Sequence, residues 1–187
     1  MNLETMTEIE LLQMHGAVID ELNRREVVRT QNNPIGDYTE WLACSRLGLE
    51  MQANSQASFD AADAAGVRYQ IKGRRSDDRR VSFSAIRNLD QRGFEFVIAV
   101  VFDRDYSIRF AFKLTHAAVT ELSTYRKHVN AHILILAADS IDCDGVEDVF
   151  GELNGSRAAE VPPGRILSGV KTGEKPSHPE ESRSEQE

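Results

Sequence analysis

Apolar positions in the first fifty residues recur at helical spacing. In residues 11–22 they fall three or four positions apart, and residues 7–10 (Thr-Glu-Ile-Glu) have the pattern of a capping box. This pattern predicts a helix over about residues 7–25. Pro34 favours the start of a second helix, which is predicted to run over about residues 33–47.

The middle of the chain carries patterns that predict strands. Residues 94–102 are almost all apolar and rich in β-branched side chains, which is typical of a buried central strand. After a polar turn, residues 108–112 alternate between apolar and polar or small side chains and predict a returning strand. Thr115 is predicted to cap a short helix that ends near Tyr125. Residues 132–136 are predicted to form the last strand.

A glycine turn predicts a hairpin around the loop Ala64-Ala65-Gly66. A loop of this length is typically a type I turn followed by a left-handed residue, a conformation that Gly66 adopts without steric cost. Such a loop pairs Asp60 with Gln70, with β-carbons roughly 5 Å apart on one face. Alternation places Lys72 on that face as well, while the intervening apolar residues point into the core.

The order of predicted elements indicates one α/β domain over residues 1–150, with helices packed on a mixed sheet. Residues 151–187 contain few large apolar side chains and are predicted to be a flexible, disordered tail. The start of the chain lacks a secretion-signal pattern, and no apolar run is long enough to cross a membrane. The two cysteines, Cys44 and Cys143, have no metal-type spacing. We therefore expect a reduced, cytoplasmic protein.

Charge is distributed unevenly along the chain. The formal net charge of −8 argues against a protein that is basic over its whole surface. Residues 67–87, however, hold seven basic and two acidic side chains, a formal charge of +5. This basic segment includes four arginines that are candidates for binding the phosphates of DNA: Arg74, Arg75, Arg79 and Arg80. A solvated surface without a ligand is the alternative.

The predicted hairpin brings together groups that suit a divalent cation and a phosphate. The Asp60 carboxylate, the Gln70 amide and the Ile71 carbonyl are oxygen ligands of the kind that Mg²⁺ accepts. Lys72 is placed to orient or deprotonate an attacking water and to offset negative charge. Glu40 on the second helix is the best candidate for a further acid, with a solvated helix surface as the alternative.

The ordered set of a helix with Glu40, then Asp60, then Gln70-Ile71-Lys72 resembles the PD-(D/E)XK nuclease superfamily. More closely, residues 33–41, 59–60 and 69–75 resemble a small uncharacterised bacterial group assigned to that superfamily. The likeness spans roughly residues 11–136. In this chain Gln70 stands where most active members carry Asp or Glu, and no Pro precedes Asp60.

The resemblance implies a restriction-endonuclease-like αβββαβ core preceded by an extra N-terminal helix. It also implies DNA cleavage that depends on Mg²⁺ or Mn²⁺. On this likeness, Asp60 and Gln70 are metal ligands, Lys72 is the catalytic lysine and Glu40 is the supporting acid.

Two further functions are consistent with the sequence. The alternative to a metal-dependent DNA endonuclease is a non-catalytic module that keeps the nuclease fold and binds DNA or a protein. A third reading is a subunit that docks a partner through its acidic surface or its tail. A homodimer is also plausible, although no interface is specified by the sequence.

Overall fold

The structure, a computed structural model, describes residues 2–52 and 58–155. The α-helices are α1 (Glu8–Arg24), α2 (Ile35–Leu47), α3 (His116–Glu121) and α4 (Phe150–Asn154). The strands are β1 (Glu50–Met51), β2 (Ala61–Ala62), β3 (Arg68–Arg75), β4 (Val81–Ser82), β5 (Phe96–Phe102), β6 (Ile108–Thr115), β7 (Ser123–Arg126), β8 (Ala131–Leu136) and β9 (Val146–Asp148).

The strands form two sheets. The larger has six strands in the order β1-β2-β3-β5-β6-β9, and the smaller has three in the order β4-β8-β7. In the larger sheet β3 and β5 run parallel, and all other neighbouring strands run antiparallel. The predicted α/β class with a mixed sheet is therefore confirmed.

The central strand β5 separates two apolar cores. On one face of the larger sheet, α2 and α4 cover a core that includes Leu42, Ile71 and Ile98. On the other face, α3 and the smaller sheet cover a core that includes Val97 and Ala99. Because β5 contributes to both cores, its near-continuous apolar sequence is explained by burial on both faces.

The first two helices begin and end within two residues of their predicted bounds. At the start of α1, the Thr7 hydroxyl accepts a hydrogen bond from the Glu10 N–H, and the Glu10 carboxylate accepts one from the Thr7 N–H, so the capping box is confirmed. The apolar face of α1 is only partly covered by the described residues. Ile19 is buried, whereas the Leu12 side chain is 66% exposed.

Two predictions from the second half of the chain are wrong. The helix after Thr115 ends at Glu121 rather than near Tyr125, because Ser123–Arg126 leaves the helix to pair antiparallel with β8. The predicted last strand, β8, belongs to the smaller sheet and is followed by β9. Strand β9 pairs with β6 and takes the outer position of the larger sheet.

The described part of the chain also includes the first residues of the predicted tail. Helix α4 covers residues 150–154, and Leu153 is buried in the core beneath α2. Residues 156–187, which make up the rest of that predicted tail, lie outside the described residues. Among the described helices, none has both the length and the apolar character needed to span a bilayer.

Candidate functional site

The hairpin between β2 and β3 has the predicted register. Ala62 lies opposite Arg68 and Ala61 opposite Tyr69. The turn closes through a 3.0 Å hydrogen bond from the Asp63 N–H to the Val67 carbonyl. Gly66 has a φ of +81°, the left-handed conformation that the turn requires.

Asp60 connects the start of this hairpin to the opposite strand through one carboxylate oxygen. Its Oδ2 accepts a 2.5 Å hydrogen bond from Gln70 Nε2 and a 2.6 Å hydrogen bond from the Ile71 N–H. None of the hydrogen bonds among the described residues involves Oδ1. This oxygen is therefore available to a ligand, while Oδ2 holds the side chain against the edge of β3.

Strand alternation divides the β3 side chains as predicted. Tyr69 and Ile71 are buried in the core beneath α2. Gln70 and Lys72 are half-buried and point to the other face, beside the buried strand β5. Both side chains are therefore partly accessible to solvent and to a ligand.

Close packing of α2 on β3 positions Glu40. A β-carbon added to Gly73 would lie 1.9 Å from Thr39 Oγ1, so only glycine lets the helix approach this closely. Thr39 is completely buried and donates a 2.5 Å hydrogen bond to the Ile35 carbonyl. Glu40, the next residue, is thereby held beside β3 with a side chain only 19% exposed.

The charges at this edge act on one another. The pKa of Glu40 is raised to about 7, chiefly by burial and in addition by the negative charges of Asp60 and Asp37. The positive charges of Arg29 and Lys72 oppose this rise in the pKa of Glu40 without cancelling it. Asp60 therefore contacts Gln70 directly, and the charges of Asp60 and Lys72 reach Glu40. Glu40 approaches this edge of β3 from the side of α2, whereas Gln70 and Lys72 leave the strand on the other face.

Arg29 is the site residue that sequence reasoning missed. It lies between α1 and α2, and its guanidinium forms an ion pair with Glu40 and approaches Asp37 Oδ1 to 3.8 Å. The Asp37 carboxylate also accepts hydrogen bonds from the Arg29 N–H, at 2.7 Å, and from the Thr30 N–H, at 2.9 Å. The local sequence has no signal for this contact, since it depends on how the connecting loop folds back onto α2.

The groups at this edge are oxygen ligands with only two carboxylates among them, which suits weak binding of a hard divalent cation. The described residues contain no group of three or more His, Cys, Asp or Glu side chains placed to hold a metal ion. A divalent cation would instead have the two carboxylates, the Gln70 amide and the Ile71 carbonyl, with waters in the remaining positions. The Ile71 N–H points to Asp60. Because the C=O of a strand residue faces the same edge as its N–H, the Ile71 carbonyl also faces the side on which Asp60 lies.

Two details limit which atoms can serve as ligands. Gln70 presents Nε2 to Asp60, so its oxygen reaches a cation only after a reorientation of the amide. Cys44 also lies near these charges, and burial, together with the charge of Glu40, raises the pKa of its thiol to about 12. Cys44 therefore stays protonated at neutral pH, and its thiol is a weak ligand and a weak nucleophile.

The four candidate DNA-binding arginines of the basic segment are all exposed, and they lie on different elements. Arg74 follows Gln70 and Lys72 at strand spacing and lies on their face of β3. The Arg75 guanidinium lies 4.8 Å from the centre of the Tyr106 ring, in a cation–π arrangement at the end of the strand. Arg79 and Arg80 lie in the loop before β4. Among these arginines, Arg74 is thus the one aligned with the candidate site.

No protein-family model matches this chain, and no curated protein matches it by sequence.

Proposed function

We propose that the protein is a divalent-metal-dependent DNA endonuclease with a restriction-endonuclease-like core. The observation that carries the proposal is the arrangement at the edge of β3, where Asp60 is hydrogen-bonded to Gln70 and the charges of Asp60 and Lys72 act on Glu40. Two carboxylates, an amide and an amine on a half-buried surface suit the binding of a divalent cation and a phosphodiester.

The chain order of the elements also supports this core. Helix α2 is followed by β1, β2 and β3, which are neighbours in the sheet and antiparallel, and β5 then adds beside β3 in parallel. This is the αβββ order expected of the superfamily, and the parallel addition of β5 makes the sheet mixed. One difference is that the connection from β3 to β5 contains a three-residue 3-10 helix, Leu89–Gln91, in place of an α-helix.

Four groups would hold the cation: the Glu40 and Asp60 carboxylates, the Ile71 carbonyl and the Gln70 amide oxygen. When bound, Mg²⁺ or Mn²⁺ would activate water and neutralise charge on the phosphate. Because Gln70 is neutral, this set carries one negative charge fewer than a set with a third carboxylate. We therefore expect weak metal binding, so that activity needs millimolar metal.

Lys72 would act directly on the reacting groups. Its ammonium lies on the same face as Gln70, where it orients the attacking water and stabilises the charge that develops on the phosphate. The water oxygen would form the new bond to phosphorus and its proton would pass to solvent, while the P–O bond to the leaving oxygen of the DNA strand breaks and that oxygen takes up a proton from solvent. Arg74, two residues further on the same face, would hold a neighbouring phosphate.

A plasmid-cleavage assay tests this function. Wild-type protein should nick supercoiled DNA in millimolar Mg²⁺ or Mn²⁺ and not in EDTA, and Lys72→Ala should remove the activity without changing the fold. Lys113→Ala is a matched control, because Lys113 lies on β6 and pairs with Glu147 rather than with the site. Equal nicking by the wild-type and Lys72→Ala proteins, or no metal-dependent nicking at all, would contradict catalysis.

The second candidate function is a non-catalytic DNA-binding module with the same fold. The neutral Gln70 favours it, since Asp60 and Glu40 supply the only carboxylates of the proposed ligand set. In this case DNA binding survives in EDTA, and neither metal nor Gln70→Glu produces cleavage. If Gln70→Glu instead strengthens metal binding and cleavage, the site is a weak catalytic centre rather than a binding surface.

A further inference from the structure

We propose that Arg29 is a built-in competitor of the metal: its guanidinium holds the Glu40 carboxylate until a divalent cation displaces it. This inference rests on the proposed metal site and adds a residue that controls how readily that site fills. Arg29 is thus a positioning residue, because it acts on the cation through Glu40.

The backbone on both sides of Arg29 is fixed. Val28 is 1% exposed, and its carbonyl accepts a 3.2 Å hydrogen bond from Asn23 Nδ2. The Arg29 and Thr30 N–H groups both donate to the Asp37 carboxylate. The fixed backbone of this loop therefore positions the Arg29 side chain beside Glu40.

The Arg29 side chain can leave this place without unfolding the loop. Its side chain is 42% exposed, and the backbone contacts to Asp37 do not involve the guanidinium. Asp37 Oδ1, 3.8 Å away, offers a second acceptor once Glu40 turns to a cation. The guanidinium thus has two alternative partners, of which only Glu40 belongs to the proposed ligand set.

Burial distinguishes this ion pair from the others in the described part of the chain. Arg29 contacts carboxylates whose side chains are 19% and 14% exposed, for Glu40 and Asp37 respectively. The acid in every other ion pair among these residues is at least 42% exposed. Water screens charges less at the ion pair of Arg29 with Glu40. The guanidinium held there therefore raises the free energy of a metal cation bound nearby.

A metal titration with charge variants tests the inference. Free Mn²⁺ is counted by electron paramagnetic resonance at pH 8.0 for metal-free wild-type protein and for Arg29→Gln, Arg29→Met and Arg29→Lys. We expect the neutral variants to bind Mn²⁺ roughly tenfold more tightly or better, because they remove a like charge from a weakly screened site. Arg29→Lys, which keeps the charge, should remain within a few-fold of wild type.

Arg24→Gln is the matched control, since Arg24 pairs with Glu21 on the exposed surface of α1 and should not change Mn²⁺ affinity. Thermal unfolding identifies any variant that does not fold, and either neutral substitution is sufficient for the comparison. Wild-type or weaker affinity in a folded neutral variant overturns the role of Arg29 and leaves the metal site intact. If neither the wild type nor the neutral variants bind Mn²⁺, the proposed metal site and the inference both fail.

Discussion

A single carboxylate oxygen, Asp60 Oδ2, holds two residues of the candidate site in place. It accepts from the Gln70 side chain and from the Ile71 N–H, so it fixes the amide and the edge of β3 together. The nearness of Asp60 and Gln70 was predicted from the Gly66 turn, whereas the hydrogen bond from the Ile71 N–H to the Asp60 carboxylate was not. The position of Arg29 was not predictable, because a loop residue reaches Glu40 only through a tertiary contact.

Glu40 is expected to make the metal-free protein less stable at higher pH. Its pKa is raised to about 7 from a usual value of 4.5, so the folded state holds the proton more tightly than the unfolded state does. The contribution of Glu40 is therefore fully present below about pH 4.5 and is lost as the pH rises to about 7. The loss is roughly 3 kcal/mol, given 1.36 kcal/mol for each of the roughly 2.5 pKa units between the two values.

Urea denaturation in EDTA at pH 5 and pH 8 measures this effect. Glu40→Gln keeps the shape of the side chain without its charge, so the variant should gain stability relative to wild type between pH 5 and pH 8. In the same variant, Mn²⁺ binding should be lost. A difference between variant and wild type that is the same at both pH values would contradict the proposed burial of a charged Glu40.

At the scale of elements, the contact between α2 and β3 determines where Glu40 lies. Gly73→Ala places a methyl group against Thr39 and should destabilise the protein by about 3 kcal/mol. Gly36→Ala on α2 is the matched control, because an added β-carbon there meets nothing within 4 Å. Alanine favours helix, so stability should rise by up to about 1 kcal/mol. Equal effects of the two substitutions on the urea midpoint would contradict this packing.

The elements also show which parts of the fold can be read from the sequence. The capping box of α1, the Gly66 turn and the apolar run of β5 are local signals, and each predicted its element correctly. Strands β7 and β9 are short and carry no clear alternation, and they form because β8 and β6 offer them partners. Sequence reasoning missed them because strand pairing between distant segments has no local signature.

At the scale of the whole molecule, the charge distribution predicts that DNA binds at the basic segment, residues 67–87. The segment 67–87 has a formal charge of +5 within a chain of net charge −8, so the rest of the sequence carries −13 and disfavours phosphate. Arg74 shares a face with Lys72, whereas the Arg75 guanidinium is engaged with Tyr106. We therefore expect Arg74 to contribute more to DNA binding than Arg75.

The salt dependence of DNA affinity measures this difference. In the Lys72→Ala background, Arg74→Gln should lower the slope of log K against log salt by about 1, the value for one lost phosphate contact. Arg75→Gln should lower the slope less, and Arg24→Gln on α1 should leave it unchanged. An equal fall in the slope for all three substitutions would indicate DNA binding without a defined face.

The central claim is that the edge of β3 binds a divalent cation, and anomalous diffraction from crystals soaked in Mn²⁺ tests it most directly. We predict a single strong peak within about 2.1 Å of an Asp60 carboxylate oxygen and of the Ile71 carbonyl oxygen, with Glu40 as a further ligand or reaching the ion through water. No peak at this edge in crystals soaked with millimolar Mn²⁺, or a peak only at a distant surface, would contradict the account.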